Sequence, residues 1–274
     1  MAIKIIVTDL DGTLMAPDHM TVTERTKNAL LKAHEKGVKI AIATGRTLSV
    51  IDNVTDQISF VDYVIFSNGA VVYDRNNKEN VYTNFVPKDA ADKIVDFLEQ
   101  YPAYYDVFQN GCQHAQADKG DYFKNNGLPS GFIEDYISRL ILHDDIADFV
   151  KNNDIEKINL FYFNGDHHDE IRDYLFSIEN IECTSPVAGD IEMTGENVDK
   201  GEALKALCKE LGFTSDEVMT FGDADNDIGM LKFAKYGFAM ENADEKCKEV
   251  ASFIAPSNAE DGVAVTVEKY LLGE

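Results

Sequence analysis

Asp9 and Asp11 stand two residues apart directly after a short apolar run, Ile3 to Val7, that reads as a strand buried on both faces. Carboxylates in that position project together from the carboxyl end of a strand, where open α/β sheets bind their ligands. Gly12 lets the chain turn behind them. A second acidic run, Gly222-Asp223-Ala224-Asp225-Asn226-Asp227, comes after another apolar stretch, Val218 to Phe221. Its alternating acids suggest a calcium loop, but the turn glycine falls one place late, at Gly229, and Ala234 stands where a bidentate Glu is needed. What survives is a pair of strand-tip carboxylate groups able to hold a hard divalent cation such as Mg²⁺ through oxygen. Taken singly, each group has a plainer reading, as an Asp-Gly turn and a solvated acidic loop.

Two further elements suit a phosphate. Thr44-Gly45-Arg46 closes the run Val38 to Ala43 with a hydroxyl, a closely approachable backbone and a guanidinium. Lys200 opens a helical pattern, where a cation opposes the helix dipole unless an anion compensates it.

The elements that position these residues are short apolar runs alternating with helical patterns, the signature of a parallel sheet covered by helices. Ile3 to Val7, Val38 to Ala43, Tyr63 to Phe66 and Val218 to Phe221 are the expected strands. A helix between the first two opens at a possible capping box, Thr21 to Glu24, and stops at Gly37. Gly201 to Leu211 places Leu204, Leu207, Cys208 and Leu211 on one face and ends at Gly212. From about 84 to 188 the pattern changes. Two-sided strands near Tyr104 to Phe108 and Ile158 to Phe163 mix with helices near Asp89 to Glu99 and His167 to Ser177, which predicts an inserted α+β domain.

At 274 residues, 45% hydrophobic and 27% charged, the chain has the composition of a folded globular protein of about two domains. Its 49 acidic against 25 basic residues leave a net charge of −24, which repels nucleic acid and anionic lipid. Neither is an expected partner. Cys112, Cys183, Cys208 and Cys247 lie far apart with no C-x-x-C pair, which suits reduced thiols in a cytoplasmic protein. The run at Ile5 to Val7 is too short for a signal peptide or membrane span, and no other stretch approaches the length of a span.

In this order and at these places, the four elements resemble the motifs of the haloacid dehalogenase-like phosphatases. Similarity to the Cof-type subfamily extends through Ser67-Asn68-Gly69-Ala70, Gly222 to Asp227, Met230-Leu231, Asn242-Ala243, Ser257-Asn258 and Asp261 to Ala264. The resemblance implies a Rossmann-like core from residues 1–83 and 189–274, interrupted by a C2-type (C2B-like) cap over 84–188. It implies that Asp9 is the nucleophile that becomes an aspartyl phosphate and that Asp11 is the general acid and then the base. Mg²⁺ would be bound by the Asp9 carboxylate, the Asp11 carbonyl and Asp223, with Asp227 supporting the metal shell or Lys200. Lys200, Thr44, Arg46, Asn226 and the backbone N–H groups of Leu10 and Gly45 would bind the phosphoryl oxygens.

Asp199 departs from the Ser or Thr usual before the motif lysine, and an extra acid there could raise the pKa of Lys200 or compete for its charge. The implied activity is Mg²⁺-dependent hydrolysis of small phosphorylated metabolites such as sugar phosphates. The alternatives are a phosphohexomutase and a phospho-acceptor or metabolite-sensing module. In the cap, Phe108, Asn110, His114, Arg139 and Tyr162 are expected to be core or surface rather than substrate contacts. Neither the physiological substrate nor the oligomeric state is written in these patterns.

Overall fold

The strands β1 (Ile5–Thr8), β2 (Lys39–Ala43) and β3 (Tyr63–Phe66) form where the apolar runs predict them, within two residues at each end. The computed structural model describes residues 3–117, 137–161, 167–185 and 190–273. β4 (Val71–Asp74) and β5 (Glu79–Thr83) come next. The insertion carries β6 (Tyr104–Gln109), β7 (Cys112–Gln116), β8 (Ile141–His143), β9 (Lys157–Phe161), β10 (Ile181–Thr184) and β11 (Ile191–Gly195). After it come β12 (Val218–Gly222), β13 (Tyr236–Met240) and β14 (Phe253–Ala255).

The chain divides into two compact units, one running to Thr83 and resuming at Asp199, the other spanning Asn84–Val198. The first is built on an eight-stranded sheet in the order β14-β13-β12-β1-β2-β3-β4-β5. From β14 to β3 all neighbours are parallel, and β1 lies between β2 and β12, where the strand order reverses. That reversal is the switch point at which such sheets open a ligand crevice. The sheet is not parallel throughout. β4 and β5 extend it antiparallel, because Ser67 to Ala70 is too short a link for a helical crossover.

One face of this sheet packs on the helix Lys200–Leu211, which buries Ala203, Leu204, Leu207 and Cys208 against Ile5, Val7, Ala41 and Ile65. Truncating Leu204 or Leu207 to Ala removes ~2–5 kcal/mol at such a site. The helix Glu24–Glu35 buries Ala29, Leu30 and Ala33 and lies against the helix Gly262–Val267. Its cap differs from the capping box read at Thr21. Thr23 is the N-cap, accepting from the Thr26 N–H and donating to Asp261 Oδ1 at 2.6 Å, while Thr21 bonds Asp18.

The second unit is an α+β layer with the sheet order β10-β11-β9-β6-β7-β8, antiparallel except for the β7–β8 pair. Helices Lys88–Leu98, Ile146–Lys151 and His168–Phe176 cover one face around Ile94, Val107, Ile158, Leu160 and Met193. The other face carries Asp106, Phe108, Lys157 and Asn159. This unit ends ten residues beyond the boundary read at 188, because β11 pairs with β9 and β10 rather than with the first sheet.

Phe108 is buried beneath the Lys157 ammonium, and Asn110 with Gly111 makes the left-handed turn between β6 and β7. His114 is buried, its Nδ1 2.9 Å from His143 Nε2, and Arg139 is exposed. Tyr162 lies outside the described residues. All four cysteines carry free thiols, and among the described residues no helix is long and apolar enough to cross a membrane.

Candidate active site

Asp9 continues the β1 ladder by one bond, its N–H donating to the Phe221 carbonyl at 3.0 Å, so its carboxylate emerges beside the tip of β12. There it meets Lys200. The ammonium is buried, 2.7 Å from Asp9 Oδ1 and 2.7 Å from Asp227 Oδ1. The anion that a lysine at a helix start requires is therefore present twice over. Asp227 is fully buried and uses its other oxygen to accept the Asp223 and Ala224 N–H groups at 2.9 and 3.1 Å. Asp223 receives the Thr13 hydroxyl at 2.5 Å.

Asp9, Asp223 and Asp227 each offer a carboxylate oxygen within 4.8 Å of the others. With all three ionised, the carboxylates would exceed the one ammonium by two negative charges in a largely buried space. Burial pushes the Asp9 carboxyl up to about 8, with Lys200 pulling against the rise and Asp227 and Asp223 adding to it. Burial also raises Asp223, to about 6, opposed by the Thr13 hydrogen bond and reinforced by Asp227. At Lys200 burial alone disfavours the charge, but Asp227 and Asp9 outweigh it and hold the ammonium above its ordinary range. An all-oxygen donor set with this charge deficit fits a hard divalent cation.

The turn Leu10–Leu14 after Asp9 requires a glycine. Gly12 has φ +80°, and a Cβ there would strike the Asp223 carboxylate. The Leu10 side chain is buried, so only its backbone is available to the site. Residues from late in the chain hold this turn. Asn242 Nδ2 donates to the Gly12 carbonyl at 2.8 Å and Asn258 Nδ2 to the Met15 carbonyl at 3.0 Å, while the Asn258 N–H donates to Asn242 Oδ1. The Thr23–Asp261 bond fixes the start of the helix Glu24–Glu35 beyond it.

On the other flank Thr44 is buried and accepts the Arg46 N–H on its hydroxyl at 3.1 Å. A Cβ at Gly45 would have to displace the Asn68 side chain, lying 2.7 Å from its Oδ1. That oxygen accepts from Asn226 Nδ2 at 3.0 Å. Thr44, Gly45, Asn226 and Lys200 are thus grouped around the tips of β1, β2 and β12.

Two placements differ from the sequence expectation. Asp11 does not join the other three carboxylates. Its side chain is forked by Arg46, with Nε 2.8 Å from Oδ2 and Nη2 2.5 Å from Oδ1, and the exposed His19 adds Nδ1 at 3.3 Å. Asp199 neither bonds nor crowds Lys200 but is the helix N-cap, accepting from the Gly201 and Glu202 N–H groups at 2.7 and 3.2 Å. Sequence reasoning missed Thr13, His19, Asn68, Asn242 and Asn258 as parts of the site. Asn68, Asn242 and Asn258 lie within the motif stretches, but their partners lie far away in the chain.

Carboxylates and a buried lysine thus converge at the switch point of an α/β sheet, where such sheets bind their ligands. A family model described as haloacid dehalogenase-like hydrolase matches residues 6–267, and the chain belongs to that family. It is 26% identical over 270 residues to a 5-amino-6-(5-phospho-D-ribitylamino)uracil phosphatase of Bacillus subtilis (strain 168), covering 98% of this chain and 96% of that relative. The crystal structure of a haloacid dehalogenase-like hydrolase from Bacteroides thetaiotaomicron superposes with a TM-score of 0.82 at 24% identity, covering 97% of this chain and 99% of the other. A subclass IIB sugar phosphatase of the same superfamily superposes with a TM-score of 0.75 at 23% identity, covering 97% and 98%.

Proposed function

We propose that this hydrolase is a Mg²⁺-dependent phosphatase of small phosphorylated metabolites, sugar and sugar-alcohol phosphates foremost, working through an aspartyl phosphate on Asp9. The observation that carries the reading is the Asp9 carboxylate at the tip of β1, held at 2.7 Å by the buried Lys200 and flanked by Asp223 and Asp227. A phosphorylated ribityl chain is what the Bacillus subtilis relative is named for, and the sugar phosphatase shares the fold. Four free thiols suit a reducing compartment, and we place the protein in the cytoplasm.

Asp9, Asp223 and Asp227 with the Asp11 carbonyl would hold the cation, which when bound neutralises charge on the phosphoryl group. Lys200 orients the Asp9 carboxylate and balances the negative charge that grows on the transferring group. Thr44, the Leu10 and Gly45 backbone N–H groups and Asn226 bind its oxygens. Asp9 attacks phosphorus, the P–O ester bond breaks, and its electron pair leaves on the ester oxygen, which takes a proton from Asp11. Water then attacks the phosphorus and gives its proton to Asp11, the bond to Asp9 breaks, and inorganic phosphate departs.

Purified protein is expected to release phosphate from 4-nitrophenyl phosphate only with Mg²⁺, and Asp9→Asn to abolish release. Equal release in the presence of a chelator, or an active Asp9→Asn variant, contradicts the mechanism.

A further inference from the structure

We propose that Arg46 is a positioning residue that acts through Asp11, rather than a ligand of the phosphoryl group. The inference rests on the function proposed above, in which Asp11 delivers a proton to the leaving oxygen.

Arg46 places two of its three guanidinium nitrogens on Asp11, Nε on one oxygen and Nη2 on the other, a planar fork that fixes the carboxyl group's plane as well as its distance. The guanidinium can impose this because its own backbone is anchored. The Arg46 N–H donates to the Thr44 hydroxyl and its carbonyl accepts from the Ser67 N–H at 3.1 Å. Its side chain is one-quarter exposed. Asp11 is in the opposite situation. It sits in the turn beyond the end of β1 with non-helical φ −78° and ψ 119°, and its side chain is 41% exposed. Among the described residues the other group that reaches it is His19, from an exposed stretch at 3.3 Å with a 61% exposed side chain, a weak restraint. Without Arg46 the Asp11 carboxyl would sweep several rotamers, of which few bring its proton to a given oxygen.

The topology supplies the pairing. β1 and β2 are parallel neighbours with Thr8 level with Ile42, so Asp11 and Arg46 leave adjacent strand tips at nearly equal distances past the register. A guanidinium serving phosphate directly would instead be expected to turn its fork toward the Asp9–Lys200 cluster.

Leaving-group chemistry separates the two roles. A positioned acid matters most when the departing oxygen is basic, whereas a phosphate ligand serves every ester alike. The probes are 4-nitrophenyl phosphate and phenyl phosphate, whose leaving groups differ in basicity but little in size, and the readout is the ratio of their kcat/KM values with Mg²⁺. In Arg46→Gln that ratio, 4-nitrophenyl over phenyl, is expected to rise about tenfold or more. Arg46→Lys, which keeps the charge but gives a single point of contact, is expected to fall between Gln and wild type and serves as the folded comparison. In an Asp11→Asn background Arg46→Gln should change the ratio no further. A ratio within about threefold of wild type in both Arg46 variants, with both esters slowed alike, overturns the assignment and returns Arg46 to the phosphate. Wild-type protein that hydrolyses neither ester overturns the proposed function and the assignment with it, so the two failures are distinct.

Discussion

Replacing Lys200 with Met tests the electrostatic core of the site. The ammonium is 1% exposed and lies 2.7 Å from both Asp9 and Asp227, so its removal leaves two buried carboxylates facing an apolar chain of similar length. Deleting one partner of a buried ion pair typically costs ~3–5 kcal/mol, and that is the loss expected in urea unfolding of the metal-free protein near pH ~8. The pH dependence comes from the direction of the Asp9 shift. Its folded value, about 8, lies above the ordinary 3.8, so the folded state holds a proton that the unfolded state has lost, and stability falls as pH rises across that window. Without Lys200, which pulls against the rise, the Asp9 carboxyl goes higher still. Near pH ~5 Asp9 is protonated and its charge is no longer buried, so the difference from wild type should shrink. Far-UV circular dichroism across urea series at both pH values reads both quantities. A difference that is the same at both pH values, or absent at both, refutes the account of Lys200 as the counterion of buried carboxylates.

Asp223 makes cation binding pH-dependent. It and Asp9 must be ionised to donate, so Mg²⁺ affinity measured by calorimetry should be full only above pH 8 and fall as pH drops through about 8 and then about 6, with protons released on binding. An affinity that is flat from about pH 5 to about 8 would contradict this. Asp199 acts through its cap, so Asp199→Ala should lose ~1 kcal/mol in thermal unfolding while Asp199→Ser loses only a small part of it. Equal losses would show that the carboxylate charge, not the acceptor, is what matters there.

The strands, the helix Lys200–Leu211 and the acidic tips were legible because each is encoded locally, by a run of β-branched residues, a helical period or a carboxylate beside a strand end. The antiparallel hairpin β4–β5 was not, since its strands look like any others and only the shortness of the Ser67–Ala70 link distinguishes them. β11 falls on the other side of the expected boundary for a similar reason. Its partners β9 and β10 are chosen by tertiary packing rather than by any break in composition. Within the site, residue types and positions could be read but pairings could not. Arg46 reads as a phosphate ligand, and nothing local marks Asp11, thirty-five positions away, as its partner. Thr13 finds Asp223 across 210 positions and Asn242 finds Gly12 across 230, separations at which one sequence carries no signal.

The asparagine clamp on the Leu10–Leu14 turn has a consequence for the order in which a newly made chain can mature. β1 emerges early, but its β12 neighbour begins only at Val218, and the amides that fix the turn after β1 arrive with Asn242 and Asn258. The contiguous Asn84–Val198 unit needs none of these and can fold while still tethered to the ribosome, domains generally folding as units during synthesis. The Leu10–Leu14 turn therefore lacks its asparagine clamp until both Asn242 and Asn258 have been made.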